Sequence, residues 1–270
     1  MKNPEGPAVA WVRAAVEHLT CRAVNARRID LHLAVSLKVL AVVQRQEQIT
    51  CGLEGDGIEK LGEHRRASQA VNAVSHQFSI EDRLPLKNGK PPMESILRKE
   101  VACRATDYKL AQGQLSVSGR ADISFLYLSS VDGTLEKMSA SLEFSQVVEC
   151  EGAGEDCLCD LRVMAGQSSI QPREDDVGEY TSVDVSVKVF LTAFLYQPCE
   201  VEMIDDAYSV KGPLELRYAQ SSLLDAQEVY SEVLKKKCSL TVTEEEIQKV
   251  VDLWCEQESV QSTCEEGKLT

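Results

Sequence analysis

The sequence predicts an all-β fold: tandem antiparallel β-modules, meander- or sandwich-like, with long strands and one C-terminal helix. Three runs place apolar residues at every second position. Segments rich in glycine, proline and aspartate fall between the runs, as turns require. A single stretch near the C-terminus switches to helical spacing behind a capping pattern.

The first run is IDLHLAVSLKVLAVV, Ile29 to Val43. Ile29, Leu31, Leu33, Val35, Leu37, Val39, Ala41 and Val43 form one phase, with Asp30, His32, Ser36 and Lys38 between them. The second is QLSVSGRADISFLYL, Gln114 to Leu128, with Leu115, Val117, Gly119, Ala121, Ile123, Phe125 and Tyr127 in phase. The third is YTSVDVSVKVFLTAFLY, Tyr180 to Tyr196, with Val183, Val185, Val187, Val189, Leu191, Ala193 and Leu195 inside and Asp184, Ser186 and Lys188 outside. A helix would repeat its stripe every three to four residues; period two at this length means strand. The β-branched and aromatic content agrees. Such strands exceed the usual length, so bends or bulges are expected, with Gly119 as one site.

Between the runs the order is readable. Pro85, Asn88-Gly89 and Pro91-Pro92 exclude regular structure, and Met93 to Leu97 is expected as one helical turn. EVACRATDYKLAQGQ is a strand ending at a turn near Gln112-Gly113. Asp132-Gly133 marks a hairpin, because glycine supplies the positive φ of a tight turn. TLEKMSASLEFSQVVEC returns as a strand, EGAGED (151–156) is a loop, and CLCDLRVMAGQSSIQPRE is the next strand. DDVG turns the chain into the third run. KGPLELRYAQSSLL is expected as one more strand, and residues 241–257 as a helix. There Thr243 and Glu246 make the capping box, with Ile247, Val250, Val251 and Trp254 on one face. The tail beyond is polar and expected to fray.

The net charge of −14 argues against nucleic acid as a partner, since such surfaces are basic. No apolar stretch reaches the roughly 20 residues that cross a bilayer. The N-terminal stretch has no apolar block of signal-peptide length, which reads as an unexported chain. The 10 cysteines include no CxxC pair, so reduced thiols are the expectation. Cys150, Cys157 and Cys159 form the one close group and would carry the alternative reading, a metal- or ligand-binding β-domain.

No phosphate loop, dinucleotide fingerprint, HExxH or GxSxG occurs. The histidines His18, His32, His64 and His76 have no patterned partner, and REDDVGE (173–179) lacks the spacing of a calcium loop. The chain is therefore expected to be non-enzymatic, with no catalytic residue, metal or cofactor. The outer phase is more informative. Phe190, Phe194 and Tyr196 stand opposite the valine row, as do Leu126 and Leu128 in the second run and Leu40 and Val42 in the first. These ends are either covered by a further layer or dock a protein; Phe190, Phe194, Tyr196, Leu126 and Leu128 form the candidate docking surface.

The flanks of the first and third runs resemble each other, TCRAVNARRIDLHLAV beside DLRVMAGQSSIQPREDDVGEYTSVDVSV, suggesting an internal repeat whose first copy is incomplete. The segment from LPLKNGKPPMESILRKEV through SGRADISFLYLSSVDG, with EFSQVVECEGAGED and CEVEMIDDAYSVKGPLEL, resembles the SPOCS domain family of spore coat and cortex morphogenesis proteins of the SipL and SpoVID kind. The resemblance spans Leu84 to about Leu216. It implies a scaffold that binds other spore morphogenetic and coat proteins at the forespore surface, on the mother-cell side. Many relatives end in a LysM module; this sequence ends in the expected helix and tail instead. The expected division is an incomplete copy over 1–54, a connecting segment over 55–82, a complete SPOCS-like domain over 83–218, and a helical segment with a tail over 219–270. On that comparison the sequence begins inside a domain.

Overall fold

The structure, a computed structural model, describes residues 8–43, 48–87, 89–220, 223–226, 239, 250–253, 264–265 and 268–269. Among them every regular element is a strand. These are β1 (Ala8–Asn25), β2 (Arg28–Val43), β3 (Ile58–Pro85), β4 (Met93–Ala111), β5 (Gln114–Ser129), β6 (Leu135–Glu149), β7 (Leu158–Glu174), β8 (Tyr180–Ser209), β9 (Cys264–Glu265) and β10 (Lys268–Leu269).

The centre is a sandwich of two antiparallel groups. β5 lies between β4 and β6, and β8 lies between β3 and β7. One residue pair, Met93 with Tyr180, hydrogen-bonds the groups into a single sheet system. The alternation seen in the sequence is the alternation of burial. On β5, Leu115, Val117, Ala121, Ile123, Phe125 and Tyr127 are buried, with residues between them partly exposed. On β8 the row Val183 to Leu195 is buried in the same way. The two rows meet. Leu115 and Val117 pack with Leu191, Ala193 and Leu195 at one end. Ile123, Phe125 and Tyr127 pack with Val183 to Val189 at the other.

The turns form where the glycines stand. Gly113, with φ of 75°, closes the two-residue β4–β5 hairpin, and Gly133, with φ of 66°, sits in the β5–β6 turn. At the β7–β8 turn the Asp175 carboxylate holds the chain reversal: it accepts the backbone N–H groups of Val177 and Glu179, each at 3.0 Å. The bulge expected at Gly119 lies across from it. The β4–β5 register shifts between Ala105 and Asp107, opposite Gly119 and Ser118, while β5–β6 runs without a break. Gly119 serves a different need, close approach. A Cβ there would sit 2.3 Å from Phe144 Cζ and 2.5 Å from the Arg104 carbonyl oxygen.

Four expectations change. Met93 to Leu97 is the start of β4 and not a helical turn, because Met93 is 1% exposed, buried in the core and paired to Ser129 and Tyr180. Residues 58–82, expected to connect two copies, belong to β3, which pairs with β8 from Ile58↔Ser209 to Pro85↔Ser182. The described residues of KGPLELRYAQSSLL supply no strand: β3–β8 pairing ends at Ser209, and residues 213–220 carry no regular structure. The helix over 241–257 is not seen. Val250 to Leu253 are non-helical, held at Asp252 by ion pairs to Lys137 and, at 3.8 Å, to Arg98; the rest of that stretch lies outside the described residues.

β1 and β2 form a separate two-stranded ribbon, paired from Ala8↔Val43 to Asn25↔Arg28.

Candidate functional site

The five candidate docking residues come from β5 and β8, and the sandwich treats them differently. Phe190 is 39% exposed on the outer face of the β3–β8–β7 group. It borders a cleft of about 440 Å³ with Met164 of β7, Ser75 and Gln77 of β3, and Ala10 and Val12 of β1. Phe194 points to the same face but is covered there. It is 1% exposed, with the Arg162 guanidinium 5.7 Å from its ring centroid. Arg162 is in turn fixed to Asp160 at 2.7 Å. Phe194 is therefore removed from the docking surface, because a side chain without exposed area offers nothing to a partner. Between the two rings, Thr192 is buried and its hydroxyl lies 3.4 Å from that of Ser75. Tyr196 is half-buried, and burial raises its phenol above the usual value.

Leu126 and Leu128 are half-buried on the outer face of β4–β5–β6. Their neighbourhood is not open. Leu126 stands beside Arg98 and Lys137 in the register, and both of those cations engage Asp252. The hydrogen bond from Lys137 holds the Asp252 carboxyl below the ordinary range. The segment 250–253 thus lies against the face on which Leu126 was expected to dock a partner. β3 is met in a similar manner: Ser68 N–H donates to the Leu224 carbonyl at 2.6 Å, and Ala226 N–H donates to Ser68 Oγ at 2.8 Å. A strand edge left open invites pairing, and a short segment of the same chain occupies part of this one.

The thiols of the alternative reading are core side chains. Cys150, Cys157 and Cys159 are 0%, 8% and 2% exposed and pack among Leu115, Val148 and Leu195. Burial, with smaller contributions from Cys150, Asp160 and Cys157, pushes Cys159 up to about 12. Burial, helped by Asp122, pushes Cys103 up to about 11. A thiol held this far from ionisation is a poor nucleophile and a poor metal ligand at neutral pH. Among the described residues no group of three or more His, Cys, Asp or Glu is placed to hold a metal ion. His32 and His64 are exposed on strands, and His76 stacks on Phe78 at 6.0 Å.

Residues 92–171 match the family model described as SipL, SPOCS domain. The SPOCS resemblance is shown over this stretch. It takes in β4, β5, β6 and most of β7, the strands that carry one inner row of the sandwich and the Phe194 clamp. The opposite inner row, on β8, comes from outside the SPOCS match, so the core is completed by residues that follow it. No curated protein and no solved structure matches the chain.

One contributor was overlooked by sequence reasoning: β3, which flanks β8 over its whole length. The signal was present. Val74, His76, Phe78 and Ile80 alternate with Ser75, Gln77 and Ser79, but the preceding LGEHRRASQ masks the period with charge.

Proposed function

We propose that this chain is a non-enzymatic scaffold of spore-envelope assembly, recruiting coat and cortex morphogenesis proteins at the forespore surface from the mother-cell side. The SPOCS match over residues 92–171 carries the reading. The half-open aromatic cleft around Phe190 and Met164 supports it, since an exposed ring beside apolar neighbours is a suitable anchor for a protein partner. The alternative, a metal- or ligand-binding domain, loses support because its three thiols are sealed in the core.

A fluorescently tagged chain followed through sporulation tests the proposal. Accumulation at the forespore is the expected result. Phe190→Asp, checked for an unchanged melting profile, should weaken partner recruitment. Uniform distribution of the unmodified chain throughout sporulation would contradict the reading.

A further inference from the structure

The β1–β2 ribbon repeats the design of β7–β8 but lacks its cover. In both, an alternating strand follows a tight turn and pairs antiparallel with the strand before it, with one register shift near the middle. In β7–β8 the inner row is sealed by β5. In β1–β2 the corresponding row is open: Ile29, Leu31, Leu33, Val35, Leu37 and Val39 are 47% to 65% exposed. Cross-strand partners lie on the same face. Val12 opposes Val39, Val16 opposes Val35 and Leu19 opposes Leu33, so both strands contribute to one apolar surface. Arg22, Asp30, His32 and Lys38 belong to the other face.

We propose that this face is the contact between two copies of the chain, ribbon packed on ribbon. The area fits. At these exposures the nine large side chains present on the order of 900 Å², against the ~800 Å² per partner of a standard stable interface. It also exceeds the few hundred Å² that a monomer usually leaves open in one patch. A face that places aliphatic row against aliphatic row is self-complementary, as a two-fold contact requires. The described side chains of that face bring no charge, so the net charge of −14 meets no like charge at the contact itself. A lone two-stranded ribbon is marginal in water, and a second ribbon across its face supplies the layer that β5 supplies to β8. The Ala10–Val12 end borders the chain's own sandwich.

Sedimentation equilibrium of the full chain, from about 1 to 100 µM, should show a reversible dimer. Leu33→Asp with Leu37→Asp should raise the dimer dissociation constant at least 100-fold, while His32→Asp, on the opposite face of the same strand, should leave it unchanged. The unmodified chain gives a second measurement that needs no variant. Cys21, opposite Leu31, and Cys51, beyond the ribbon, are both exposed. Maleimide labelling read by peptide mass should slow at Cys21 as concentration rises and stay constant at Cys51. A chain that is monomeric at 100 µM, a dimer that survives the double substitution, or equal labelling of both thiols at every concentration would overturn the proposal. Monomers with a reactive Cys21 would assign the face to some other protein. The scaffold reading is judged by localisation and stands or falls separately.

Discussion

Two hairpins of this molecule have nearly the same plan and opposite surroundings. β7–β8 and β1–β2 each carry an alternating aliphatic row, yet Val187 and Leu191 are fully buried whereas Val35 and Leu33 are 47% and 57% exposed. The difference teaches that alternation makes a ribbon with an apolar face and leaves open what lies against that face. β8 meets β5, and among the described residues β1–β2 meets no comparable layer.

The comparison is broken most forcefully by equal truncations in the two hairpins. Leu191→Ala should lower stability by about 2–5 kcal/mol in urea unfolding, since it empties a sealed site. Leu33→Ala, measured on dilute monomer, should change it by less than about 0.5 kcal/mol, as exposed substitutions do. Equal losses at both positions would show that the ribbon is part of the sandwich core.

Gly119→Ala comes next. The methyl would meet Phe144 and the Arg104 carbonyl, and backbone cannot swing aside, so a loss of about 1–3 kcal/mol is expected. Adding Phe144→Leu should recover part of it if the ring is the main obstacle.

The buried thiols sharpen the contrast through pH. Burial raises Cys159 from 9.0 to about 12 in the folded chain. Folding keeps this thiol neutral, so its contribution is complete below pH 9 and is lost progressively as pH rises toward 12. The urea midpoint should fall across that window, and Cys159→Ala should flatten the fall. A midpoint equally steep in the variant would assign the loss to other groups.

The smallest effect belongs to the surface. Asp184 accepts hydrogen bonds from Arg83 and Arg173, each at 3.0 Å, which hold its carboxyl below the usual range. Its stabilisation is present above the ordinary carboxylate value and is lost as pH falls through the depressed one. All three side chains are about half exposed, so Asp184→Asn should shift the melting temperature only slightly, and less still in high salt.

Much of this fold was legible because local rules decided it. The rows of β2, β5 and β8, the turns at Gly113 and Gly133, and the loop over 151–156 all follow from period two and positive φ. Where reading failed, distant partners had decided. Met93 starts a strand because its side chain is needed in the core, and Val250 to Leu253 are fixed through Asp252 to cations more than a hundred residues away. Candidate docking residues fared similarly. Phe190 and Phe194 share a phase, yet one borders a cleft and the other lies under Arg162.

By itself the sequence determined which residues share a side of each strand and where the chain reverses, because side-chain direction and turn geometry depend on a few neighbouring residues. Only the tertiary structure decided which rows are sealed, that β3 flanks β8, and that β1–β2 stands apart. Burial is a property of two surfaces in contact, and one strand's spacing contains no record of the other.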